Sequence, residues 1–133
     1  MKTTTLYRPV GEKEMVLILE SNFKKFPPRL EWQPIFYPVL DESYASEIAE
    51  KWNTRDEAGN YLGFVTQLQI NILPRMSEQE IIMSCGCRQK KLDKFNQAII
   101  GSIEVTNVFI GNDFRKSENT EIENLILKLK NET

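Results

Sequence analysis

Alternation of apolar and polar residues is clearest in YLGFVTQLQI, where Leu62, Phe64, Leu68 and Ile70 share one side of an extended chain. That period of two predicts a half-buried β-strand. GSIEVTNVFI repeats the pattern, with Ile103 and Val105 facing one way. TTTLYRPV reads as a short first strand: β-branched threonines lead into Leu6 and Tyr7, and Pro9 closes it. PIFYPVL has the length of a buried strand, and Pro34 and Pro38 place it at a sheet edge. SEQEIIM predicts another, shorter strand.

Elsewhere the spacing is helical. GEKEMVLILESNF carries acidic residues in its first turn and Met15, Ile18 and Leu19 along one face. Asp41 is placed to cap a helix whose Tyr44, Ile48 and Trp52 fall on one face beside Ala45 and Ala49, a face expected to point inward. RQKKLDKFNQ reads as a short helix or turn. NTEIENLILKLKN is the clearest helix: Thr120 and Glu123 suggest a capping box, and Ile122, Leu125, Ile126 and Leu129 form an apolar stripe. Between these lie the proline-bearing KKFPPRLEWQ and the turn-rich NTRDEAGN. The order β-α-β-α-β-β-(α)-β-α predicts an α+β single domain over residues 1–133, with a mostly antiparallel, twisted or split sheet and flanking helices. Its core spans about residues 3–110, and a C-terminal amphipathic helix occupies 117–131.

Composition narrows the chemistry. With 133 residues, 41% of them apolar and 27% charged, the chain resembles an ordinary globular protein able to close one core. A net charge of −2 supplies no basic field for a nucleic acid backbone, which leaves only local contacts to such a partner. No apolar run approaches membrane-spanning length, and MKTTTLYRP lacks the apolar core of a signal peptide. With two cysteines in a single CxC, a reducing cytoplasm is the expected location. The absence of histidine removes Ser-His-Asp and Cys-His mechanisms and every histidine-containing zinc site. Acid–base work falls to carboxylates, tyrosines or lysines. Cys85 and Cys87 alone are too few ligands for zinc, so no metal is expected.

Several residues admit two readings. Arg8 is most simply a solvated arginine at a strand end; alternatively it is a fork-shaped cation suited to a phosphate or ribose. Tyr37, Tyr44 and Trp52 are either core or, beside Gln33, the wall of a pocket for a flat or cationic ring. Glu78 and Glu80, two apart, share one side of a strand. They are surface carboxylates, or a pair that stabilises positive charge at a sugar carbon while orienting a hydroxyl.

TLYRPV, FPPRLEWQPIFYPVL, YASEIAEKWNT, YLGFVT and FNQAIIGSIEV together resemble a group of small bacterial proteins named for ADP-ribosylation/crystallin, over about Thr4 to Phe109. The layout is also similar to a reduced ADP-ribosyltransferase-like fold. There a first strand ends in Tyr-His or Tyr-Arg, matched here by Tyr7 and Arg8, and a later strand opens with an E-x-E or Q-x-E motif, matched by EQE. The resemblance implies cleavage of the nicotinamide–ribose bond of NAD+, used as substrate, and transfer of ADP-ribose to an unidentified acceptor. Glu80 would hold the ribose 2′-hydroxyl and Glu78 would orient or deprotonate the acceptor. Arg8, following Tyr7, would bind a phosphate or ribose, and Tyr37 with Tyr44, near Gln33, would pack on the nicotinamide. Relatives carry an ELWVP-like strand where this chain has SCGCR, with Ser84 at the glutamate's position. That departure motivates the alternative, a catalytically inactive nucleotide-binding or protein-interaction module of the same fold, with the C-terminal helix as a surface for a protein partner.

Overall fold

Thr3–Val10 forms β1, Leu62–Asn71 β2 and Ile99–Ile110 β3 in a computed structural model of the chain, which describes residues 3–27, 38–71, 77 and 90–131. β2 lies between the other two strands and runs antiparallel to both. Against β1 its register is unbroken, from Thr3 opposite Asn71 to Val10 opposite Phe64. Against β3 the register shifts between Val65 and Thr66 and again between Gln67 and Gln69, irregularities that bend a strand.

Among the described residues four α-helices flank the sheet: α1 (Glu12–Glu20), α2 (Glu42–Lys51), α3 (Lys90–Ala98) and α4 (Thr120–Asn131). On one face Met15 and Ile18 of α1, Leu92 and Phe95 of α3, and Ile122 and Ile126 of α4 close over Leu6, Leu62, Phe64 and Ile70. On the other, α2 lays Ala45 and Ala49 against Val65, with Tyr7, Val39 and Phe109 packed around them. The result is the α+β class that the periodicity predicts. β2 is nevertheless more than half-buried, since every residue from Leu62 to Thr66 is buried. Gly63 and Val65, apolar in the gaps of the alternation, are the local sign of that second covered face.

α2 seats unusually low. A Cβ built on Gly63 would stand 2.7 Å from the Ala49 carbonyl oxygen and 2.9 Å from the Ala49 Cβ, closer than side-chain atoms approach one another. Only an alanine seam over a glycine permits this contact. It also overturns the expected orientation of the aromatics: Tyr44 is 56% exposed and Trp52 65% exposed. Each helical step turns about 100°, so when Ala45 and Ala49 face the sheet, Tyr44 and Ile48 stand one step round from it.

The remaining elements follow their local chemistry, with small corrections. Asp41 caps α2 as expected, its Oδ1 accepting from the Ser43 N–H. β1 continues through Pro9 to Val10. The cap of α4 is Asn119 rather than Thr120, because its Oδ1 accepts from the N–H groups of Glu121 and Ile122. Glu123 accepts instead from the Ser117 N–H, and the Ser117 hydroxyl donates to Glu12, which ties the starts of α1 and α4 together. The α4 stripe is spent on its own core, with Ile122, Ile126 and Leu129 buried and Leu127 exposed. Of the expected strand PIFYPVL, only Pro38, Val39 and Leu40 are described, and Val39 forms an antiparallel bridge with Tyr7. The strand expected in SEQEIIM lies outside the described residues. Among the described residues no helix is long and apolar enough to cross a membrane.

Gly63→Ala is expected to cost about 1–3 kcal/mol, as overpacking of a closed interface does, whereas Leu127→Ala should change stability by less than about 0.5 kcal/mol. Urea unfolding followed by circular dichroism measures both.

Candidate functional site

Successive residues of a strand project to opposite faces, and β1 therefore separates Tyr7 from Arg8. Tyr7 packs with Ala45, Ala49 and Val65 beneath α2, and its backbone N–H and carbonyl both pair with Val39, at 2.8 and 2.7 Å. Arg8 points the other way, among the helices that cover Leu6 and Val10. It is neither solvated nor terminal: the residue is 5% exposed and sits two positions inside the end of β1.

Contacts with Glu14, Phe26 and Thr66 hold Arg8 there. Its Nη1 donates to Glu14 Oε2 at 2.7 Å, with only 6% and 16% of the two side chains exposed. Its guanidinium carbon lies 5.1 Å from the centre of the Phe26 ring. Its backbone carbonyl accepts from the Thr66 hydroxyl at 2.6 Å, on the strand position directly opposite. The short turn at Gly11 brings Glu14 back over β1, and the first turn of α1, where Glu12 and Glu14 both lie, favours carboxylates through the helix dipole. Desolvating a cation costs several kcal/mol unless a counter-charge meets it, which is the role Glu14 performs.

Phe26 is itself clamped. Its N–H donates to Asn96 Oδ1 at 2.9 Å and its carbonyl accepts from Asn96 Nδ2 at 3.0 Å, so one α3 amide serves both backbone groups. The Phe95 ring packs tilted against it, 6.1 Å away. With Pro27 next in the chain, the backbone here cannot continue a regular ladder, and the Asn96 side chain supplies the missing pairing. The FN of FNQAII therefore serves to hold the aromatic cover over Arg8. Sequence reasoning missed Glu14, Phe26 and Asn96. The available signals were a carboxylate one turn into the helix after Arg8, an aromatic directly before two prolines, and an amide in a helix interior, where amides are disfavoured.

Of the residues expected to wall a pocket, only Tyr44 and Trp52 are described. Tyr44 belongs to α2, on the sheet face opposite Arg8, and is largely in water. Tyr7 and Tyr44 share the α2 side of the sheet. Gln33, Tyr37, Glu78, Glu80, Cys85 and Cys87 lie outside the described residues. A hollow of about 350 Å³ adjoins Phe26 between α1 and α3, lined also by Leu17, Lys25, Leu92 and Asn96. A larger one of about 580 Å³, between α1 and the Lys116–Asn119 turn, touches none of the described residues singled out from sequence. Among the described residues no group of three or more histidine, cysteine, aspartate or glutamate side chains gathers to hold a metal ion.

Compared with known protein families, curated proteins and solved structures, the chain matches none.

Glu14→Gln should destabilise the protein by about 1–3 kcal/mol, because it removes the carboxylate that α1 sets against the buried Arg8 guanidinium. Replacing the pair together, Arg8→Met with Glu14→Leu, should recover a large part of that loss. Urea denaturation of the wild type, each single variant and the double variant measures the coupling.

Proposed function

We propose that the protein is an NAD+-dependent, ADP-ribosyltransferase-like enzyme that cleaves the nicotinamide–ribose bond and passes ADP-ribose to an acceptor. The observation that carries this reading is Arg8. A guanidinium set in one orientation by Glu14 and Phe26 has little rotational freedom left to lose when it meets a phosphate or ribose oxygen. It also stands beside Tyr7 in the Tyr-Arg pair on which the family resemblance rests.

In this reading the chemistry asks little of acid catalysis, because nicotinamide leaves from a cationic ring nitrogen. The protein must hold the dinucleotide and stabilise an oxocarbenium-like transition state. Arg8 takes the phosphate or ribose. Glu80 accepts from the ribose 2′-hydroxyl and faces the developing positive charge, and Glu78 orients the acceptor and takes its proton as it bonds to the ribose carbon that nicotinamide leaves. No step requires histidine or a metal. The expected setting is the cytoplasm, consistent with a chain whose two cysteines stand in a single CxC.

A second reading, a binding module that transfers nothing, is favoured by the separation of Tyr44 from Arg8 across the sheet. The two readings differ in turnover. Nicotinamide release from NAD+, followed by chromatography, is expected from the wild type and is expected to fall at least about 100-fold in Glu80→Gln with NAD+ binding retained. A folded wild type that binds NAD+ and releases no nicotinamide would select the second reading. Absence of both binding and release would remove the dinucleotide from the account.

A further inference from the structure

A cation that is to meet a phosphate or ribose oxygen must be reachable, and Arg8 is only 5% exposed, with the Phe26 ring standing over its guanidinium. Phe26 is buried in turn and belongs to no helix or strand. Its N–H and carbonyl both pair with the Asn96 side chain of α3, at 2.9 and 3.0 Å. One side chain from a separate element therefore holds the backbone of the cover.

The chain just before Phe26 is anchored differently. The Phe23 carbonyl accepts from the Ile103 N–H at 2.6 Å, and the Ser21 hydroxyl accepts from the N–H groups of Lys24 and Lys25 at 3.2 Å. Asn22 and Phe23 both take a left-handed φ of 61°. Asparagine tolerates that conformation, but a bulky aromatic seldom adopts it, and strain of this kind gathers in segments that switch. Ser21 to Lys25 thus forms a fixed base, and Phe26 stands one residue beyond it.

The ring also has somewhere to go. Phe26 borders the hollow of about 350 Å³ between α1 and α3, to which Leu17 and Leu92 give apolar walls. A cavity of about 150 Å³ already takes benzene, so the hollow has room for a phenyl ring. Glu14 pairs with Arg8 from α1 and takes no part in such a movement. It keeps the guanidinium set while the ring leaves.

We infer that Phe26 is a gate over Arg8, held closed by Asn96 and opened when its ring turns into the hollow between α1 and α3, and that opening admits the dinucleotide to the guanidinium. The ligand rests on the NAD+ reading above, whereas the motion is a property of the fold alone. Apparent affinity is reduced by the fraction of molecules that are closed, so loosening the gate tightens binding. Loss of a residue that only stabilised the fold would not tighten it.

The test follows Arg8 and NAD+ separately. Phenylglyoxal, which modifies accessible guanidinium groups, is applied to the full chain, and peptide mass spectrometry compares Arg8 with the exposed Arg55 and Arg115. In the wild type Arg8 is expected to react more slowly than either. Asn96→Ala removes both bonds to Phe26 and should speed the Arg8 reaction at least about tenfold, with native circular dichroism and both reference arginines unchanged. Asp93→Phe, at an exposed position on the rim, should fill the hollow and slow the reaction below the wild-type rate. Calorimetric titration with NAD+ is expected to show binding that tightens in Asn96→Ala and weakens in Asp93→Phe. A wild-type Arg8 that reacts as fast as the references, or a rate that neither variant moves, overturns the gate. So does NAD+ binding of equal strength in all three proteins. Rates that move as expected while none of the three binds NAD+ would uphold the gate and remove the dinucleotide as its ligand.

Discussion

The coverage of β2 on both faces is the constraint from which the rest of the molecule follows. A strand whose residues are buried from Leu62 to Thr66 requires packing partners above and below it. α1, α3 and α4 supply one layer and α2 the other. The two layers meet β2 differently. Large aliphatic and aromatic residues fill the first, while the second is a thin seam of Ala45, Ala49 and Val65 against Gly63. From this asymmetry come both the buried surroundings of Arg8 and the outward placing of Tyr44 and Trp52.

Arg8 shows how fold and chemistry are coupled here. Its position on β1 directs it into the thicker layer, where an unpaired charge would be costly, and the helix that follows returns Glu14 to meet it. Phe26 covers it, and Asn96 and Phe95 of α3 fix Phe26 in turn. One cation thus links β1, α1, the segment before Pro27, and α3. Such a cluster contributes little net stability compared with a hydrophobic replacement, and its better-attested use is to fix one arrangement. The same fixed guanidinium is what the transferase proposal draws on.

Much of the architecture was legible in the residues. The alternation in YLGFVTQLQI and GSIEVTNVFI identified β2 and β3, Asp41 identified the start of α2, and the stripe from Ile122 to Leu129 identified α4. What periodicity could not give was direction around a helix. Tyr44, Ile48 and Trp52 are spaced as regularly as any buried stripe, and only the small residues at Ala45, Ala49 and Gly63 reveal that a neighbouring stripe faces the sheet. The surroundings of Arg8 were hidden for another reason. Its partners Glu14 and Phe26 come from separate elements, and strand alternation does not report what a distant segment brings to a face. The capping box at Thr120 misled by one residue, because Asn119 competes for the same N–H groups and Ser117 claims Glu123.

Arg8 is a fixed, buried cation in the layer opposite α2. Nitrogen-15 NMR of the arginine side chains tests it most directly, since a guanidinium held by a carboxylate and an aromatic face rotates slowly about its terminal bond. Separate, slowly exchanging Nη resonances are expected for Arg8 at neutral pH, with faster exchange between them in Glu14→Gln. An Arg8 signal averaged like those of solvent-exposed arginines would contradict it.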